Sequence, residues 1–153
     1  MAERFLGEMV FPGETWVVPV VRRCVAAILL GAGHRDVDNA RLIVSELVSN
    51  ALQHTASGRG GGLVAVDVVG FGADVARIEV TDDGARTIPC PRASDDLDSR
   101  GRGLKLVEQI STTWGMRRPG SGHLTVWAEF ATVMHTAYLC EATGHALTPE
   151  IGA

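Results

Sequence analysis

Two near-alternating runs of β-branched residues, LVAVDVVGFG at 63–72 and VARIEVTDDG at 75–84, constrain the fold more than any other feature of the chain. A period of two puts every second side chain on one face of a strand. Gly70, Gly72 and their neighbours between the runs supply the reversal of an antiparallel hairpin. Two adjacent strands that share an apolar face must have that face covered, and the flanking sequence offers helices to cover it.

Upstream, RFLGEMVFPGE holds Phe5, Met9 and Phe11 and reads as a short strand ended at Pro12. From Trp16 to about Ala32, the spacing of Val17, Val20, Val21, Cys24, Ile28 and Leu29 is helical, with Gly31 and Gly33 as the stop. A second helix opens at Asp36 or Asp38, either able to cap it, and runs to about Thr55, where SGRGGG forms a flexible loop. After the hairpin, residues 84–101, GARTIPCPRASDDLDSRG, lack periodicity and read as a mobile cover. GLKLVEQIST returns to helical spacing through Leu104, Leu106, Val107 and Ile110, and HLTVWAEFATV is a further strand behind the turn RPGSG. This order predicts an α+β fold, a two-layer sandwich with helices on one face of a mostly antiparallel sheet. Residues 1–140 are expected to form one domain, followed by a tail at 141–153 in which Gly144, Pro149 and Gly152 break any longer pattern.

A chain of 153 residues suits one domain. With 46% hydrophobic and 21% charged residues and a net charge of -4, it has no basic stripe for a nucleic-acid backbone. The apolar run Val17 to Leu30 is interrupted by Arg22, Arg23 and Cys24, short of the ~20 residues a membrane span needs. The start MAERFLGEMV lacks the pattern of a secretory signal, so a cytoplasmic location is expected. Cys24, Cys90 and Cys140 are widely spaced without a CxxC pair and are read as free thiols.

Three short stretches carry chemistry. In SELVSNALQH, Glu46, Asn50 and His54 recur every four residues along the flank of a helix. Ala40, Val44, Leu47, Val48 and Ala51 form its apolar face, with Arg41, Ser45 and Ser49 opposite. Such a ridge is either the solvated edge of an amphipathic helix or a pocket wall. In the second case a carboxylate and an amide one turn apart can take a proton and ligate a hydrated divalent cation. In IEVTDDGARTIP a strand ends at Asp82, Asp83 and Gly84. Asp-Asp-Gly is a common turn, but a carboxylate at a strand end can also accept from an exocyclic amine, with a glycine leaving room for a flat ring. In SRGRGLKLVEQ, Gly101 and Gly103 stand just before the expected helix, where N–H groups can face phosphate oxygens. The longer dinucleotide fingerprint and its preceding strand are missing, which disfavours a Rossmann unit.

Taken in order, the stretches resemble the N, G1 and G2 boxes of the GHKL, or Bergerat-fold, ATPase superfamily, over about residues 16 to 131. The whole is similar to the small stand-alone bacterial kinases that act as anti-sigma factors, especially those of actinobacteria. The resemblance implies ATP and Mg²⁺ as cofactors. It makes Glu46 the general base and Asn50 the Mg²⁺ ligand. Asp82 would hold the adenine amine and Gly84 the adenine floor, while Gly101, Gly103 and Leu104 would form a phosphate cradle. His54 matches a position often basic or histidine in these kinases. Arg86 departs from the family's Asp-x-Gly-x-Gly, taking the last glycine's place; it turns outward with the lid, points at a phosphate or weakens ATP affinity, and the sequence leaves all three open.

The resemblance further implies a serine/threonine protein kinase whose substrate is a STAS-domain anti-sigma-factor antagonist, with a sigma factor as second partner and a homodimer paired through the N-terminal strand. With only residues 1–15 ahead of the first helix, the helix pair of a sensor histidine kinase is not expected. A binding module that has lost catalysis is the alternative that Arg86 motivates. A helix-on-sheet domain without a nucleotide site is the third.

Overall fold

The computed structural model describes residues 2–54, 62–83, 97–120 and 122–133. In chain order these form β1 (Glu3–Pro12), α1 (Val17–Gly31), α2 (Asp38–His54), β2 (Leu63–Phe71), β3 (Val75–Asp82), α3 (Leu97–Ile110), β4 (Thr113–Arg117) and β5 (Leu124–Ala131). The strands make one five-stranded sheet in the order β1-β2-β3-β5-β4, every neighbouring pair antiparallel. The α+β sandwich read from the sequence is the observed architecture. The segment 84–96, the loop 55–61 and residues 134–153 with the expected tail lie outside the described residues.

Alternation explains the core. Val64, Val66 and Val68 of β2, Ala76, Ile78 and Val80 of β3, and Val126, Ala128 and Phe130 of β5 turn one face of the sheet inward. Onto it α1 sets Val17, Val21, Val25 and Leu29, and α2 sets Ala40, Ile43, Val44, Leu47, Val48 and Ala51. The α1 stripe is rotated from the expected one, with Val25 inside and Val20 exposed. A helix buries one side only, and Val17, Val21, Val25 and Leu29 follow a strict four-residue ridge that leaves Val20 off the line.

Helix ends follow local chemistry. Beyond α1, Gly33 takes φ 96°, with its N–H bonded to Leu30 O and that of His34 to Leu29 O, the 5→2 and 6→1 pattern of a Schellman stop. Before α2, the Asp36 carboxylate accepts the N–H of Asp38 at 3.0 Å, so Asp36 caps while Asp38 sits in the first turn, paired with Arg41 at 3.3 Å. The N–H groups of Arg35 and Asp36 bond to Thr132 O at the end of β5, which pins the α1–α2 link to the sheet.

Two elements differ from expectation. Strand β4 is short and was not read from the sequence; its pairing with β5 (Trp114 with Ala128, Met116 with Val126) makes it a strand. Helix α3 begins at Leu97, earlier than the periodicity of GLKLVEQIST indicates, so Gly101 and Gly103 lie within it. Gly70 belongs to β2, opposite Ala76, and the β2–β3 reversal uses Gly72 with φ 62°.

Candidate functional site

The second half of α2 carries Glu46 and Asn50, both half-buried, and ends at His54. The ridge therefore flanks the apolar face, because Leu47, Val48 and Ala51 between these residues are buried. Helix α2 packs on β3 and β5 on one side and on α3 on the other. Glu46 faces α3. A Cβ built at Gly103 would stand 2.5 Å from Glu46 Oε2 and 3.6 Å from its Cδ, so the carboxylate rests on the bare α-carbon of Gly103. Leu104, next along α3, is half-buried against the core, and Val107 one turn on is fully buried, which anchors the helix there.

Asp82 closes β3. It is 3% exposed, opposite Val64 of β2 and Leu124 of β5. Its neighbour Asp83 has a structural task, since its Oδ2 accepts the N–H of Leu63 at 2.7 Å and so ties the end of β3 to the start of β2. The two acidic residues thus divide, and Asp82, on the helix-covered face with Val80 and Ile78, is the one turned towards the inside. Sequence reasoning passed over His123. It stands just ahead of β5 and its Nδ1 is 3.0 Å from the backbone oxygen of Asp82, donating to that carbonyl. Its place between a GSG turn and an alternating strand was the available signal.

The structure brings Glu46 and Gly103 into contact and places Asp82 at the sheet end where β2 begins. Gly84 and Arg86 lie outside the described residues. Gly101 and Gly103 fall inside α3, where N–H groups belong to the helical ladder; the N–H groups that the ladder leaves free are those of its first turn, from Leu97. Among the described residues no three His, Cys, Asp or Glu side chains gather as a metal cage. Mg²⁺ needs none: it keeps several waters and binds through one or two protein groups plus substrate phosphates. Asn50 offers an amide oxygen of the right hardness, half-buried one turn from a carboxylate, so the donors present fit that mode.

Away from this end, His34 is 2% exposed with Nδ1 2.6 Å from Thr132 Oγ1, whose hydroxyl donates to Ala73 O at 3.1 Å. That hydroxyl has one proton, so His34 Nδ1 is the donor and Nε2 carries the lone pair. Burial lowers the His34 pKa, with Arg4 adding to the effect and Asp74 opposing it. His34 acts as a neutral clasp joining the α1–α2 link, the β2–β3 turn and the end of β5. None of the described helices is long and apolar enough to cross a membrane.

No curated protein matches the chain at a meaningful level. The family comparison is decisive by its span: the sequence model of the histidine kinase-like ATPase domain matches residues 11–130, from the end of β1 to the end of β5. With a five-stranded antiparallel sheet under helices and the N-box carboxylate seated against α3, the chain belongs to the histidine kinase-like ATPase domain family, the GHKL-type ATP-binding domains.

Proposed function

We propose that this ATP-binding domain is a serine/threonine protein kinase of the anti-sigma-factor type, which transfers the γ-phosphoryl group of ATP to a STAS-domain antagonist and sequesters a sigma factor. The observation that carries the reading is the half-buried pair Glu46 and Asn50, one helical turn apart, with the Glu46 carboxylate held at α3. In the transfer, the substrate hydroxyl oxygen bonds to the γ-phosphorus as the bond to the ADP oxygen breaks, and Glu46 takes the hydroxyl proton. Asp82 accepts from the adenine amine, with Gly84 as the floor of the base pocket. Gly101, Gly103 and Leu104 belong to the helix whose free first-turn N–H groups would face the phosphates, and His54 and Arg86 are the further candidates for nucleotide contact. Mg²⁺, held through Asn50, supplies charge neutralisation on the phosphates. A cytoplasmic location belongs to this reading.

Incubating the purified chain with γ-labelled ATP, Mg²⁺ and a STAS-domain protein tests this. Label is expected on the STAS protein with the parent chain and is lost in Glu46→Ala. A parent that binds ATP yet transfers nothing overturns it in favour of a binding module acting by contact, the reading that Arg86 favours by standing where the family has a glycine. Calorimetry showing no binding at millimolar ATP would instead favour a fold without a nucleotide site. Light scattering with and without ATP tests the homodimer, for which β1, a sheet edge with Phe5 and Val10 exposed, is the proposed seam.

A further inference from the structure

Gly103 sits mid-helix in α3, and glycine is the poorest helix former after proline. Its conformation does not call for glycine: among the described residues the positive φ values belong to Gly33, Gly72, Gly120 and Gly122. Its N–H lies in the helical ladder, where any residue but proline would serve as well. What distinguishes the position is space. A methyl at 103 would meet Glu46 Oε2 at 2.5 Å, about 1 Å inside ordinary carbon–oxygen contact.

Something must then move, and the anchoring decides what. The α3 backbone is held by Leu104 and Val107 in the core, and the α2 backbone by Leu47 and Val48. The carboxylate end of Glu46 is the one soft element between them. We infer that Gly103 is a positioning residue for Glu46: its bare α-carbon is the seat that fixes how far the carboxylate reaches from α2, so side-chain length at 46 and size at 103 are matched. This rests on the kinase reading for its catalytic consequence, although the contact itself does not. A phosphate cradle would use backbone N–H groups, which alanine keeps. A seat uses the missing side chain, which alanine fills.

The test has two arms on the full chain. Urea unfolding of the parent, Gly103→Ala, Glu46→Ala and the double variant measures coupling without reference to activity. With a seat, alanine at 103 raises the unfolding midpoint in the Glu46→Ala background through helix propensity but raises it less, or lowers it, when Glu46 is present. An additive cycle overturns the seat. In the second arm, Gly103→Ala lowers the phosphoryl-transfer rate by about 10- to 100-fold, the effect of a 1 Å misplacement, while ATP Kd changes by less than about threefold. Combining it with Glu46→Asp, one methylene shorter, restores part of the rate. A parallel loss of ATP affinity, or no rescue by the shorter acid, overturns positioning in favour of a phosphate-side role. A coupled cycle in a parent that transfers no phosphate keeps the contact and rejects the kinase reading.

Discussion

Replacing Asp67 with asparagine should stabilise the protein at neutral pH. On the sheet face away from the helices, Glu8 of β1, Asp67 of β2 and Glu79 of β3 stand directly opposite one another in one row. Glu79 is answered by Arg77 at 2.9 Å and by Arg117, but Asp67 Oδ1 is buried without a hydrogen-bond partner. Burial raises the Asp67 pKa above 3.8, with Glu8 and then Glu79 adding to the rise and Arg117 opposing it.

A like-charge pair about 6 Å apart repels by about 0.7 kcal/mol at the dielectric of water, the limit that the exposed Glu8 approaches. The cross-strand range of about 0.2–1 kcal/mol agrees. Asparagine ends the burial of a charge, and since Glu79 is largely neutralised the Coulombic part of the relief comes mainly from Glu8; the total is about 1 kcal/mol, or about 2–4 °C in Tm for a chain of this size. The folded-state pKa lies above the unfolded one, so the folded chain binds the Asp67 proton more tightly. The ionised group therefore costs stability above its folded pKa, and that cost shrinks as pH falls below it and is gone below the unfolded value of 3.8. Urea titrations of parent and Asp67→Asn at pH 7 and near pH 4 should show the advantage at the first and a smaller one at the second. Equal differences at both pH values, or a loss of stability at pH 7, would refute the reasoning.

Other outcomes follow from the packing and the site. Phe130→Ala empties a fully buried position and should cost about 3–5 kcal/mol by urea unfolding. His34 is favoured neutral in the fold, so the parent should lose stability as pH falls below 6.5 towards the lower folded value, and His34→Asn should flatten that slope. Gly115→Ala sets a Cβ 2.8 Å from the Trp127 ring and should cost about 1–3 kcal/mol with a changed near-ultraviolet dichroism signal. Asp82→Ala should weaken ATP binding in calorimetry by about tenfold or more while the fold persists.

Local periodicity made much of this protein legible. The alternation of 63–72 and 75–84 determines β2 and β3, because one face of each strand must be buried. Likewise the helical spacing around Glu46 and Asn50 determines that they share a ridge beside the core, whatever α2 packs against. Tertiary structure decided the rest. Strand β4 has little signal of its own and exists through its ladder with β5, and β5 enters the sheet between β3 and β4, out of chain order. The division of labour between Asp82 and Asp83 depends on which face of β3 the helices cover and on where Leu63 stands. The seat of Glu46 on Gly103 joins residues far apart in sequence, and only the docking of α3 on α2 creates it. Periodicity reports which side of one element is buried; it carries no information on which neighbour arrives there or how close its backbone comes.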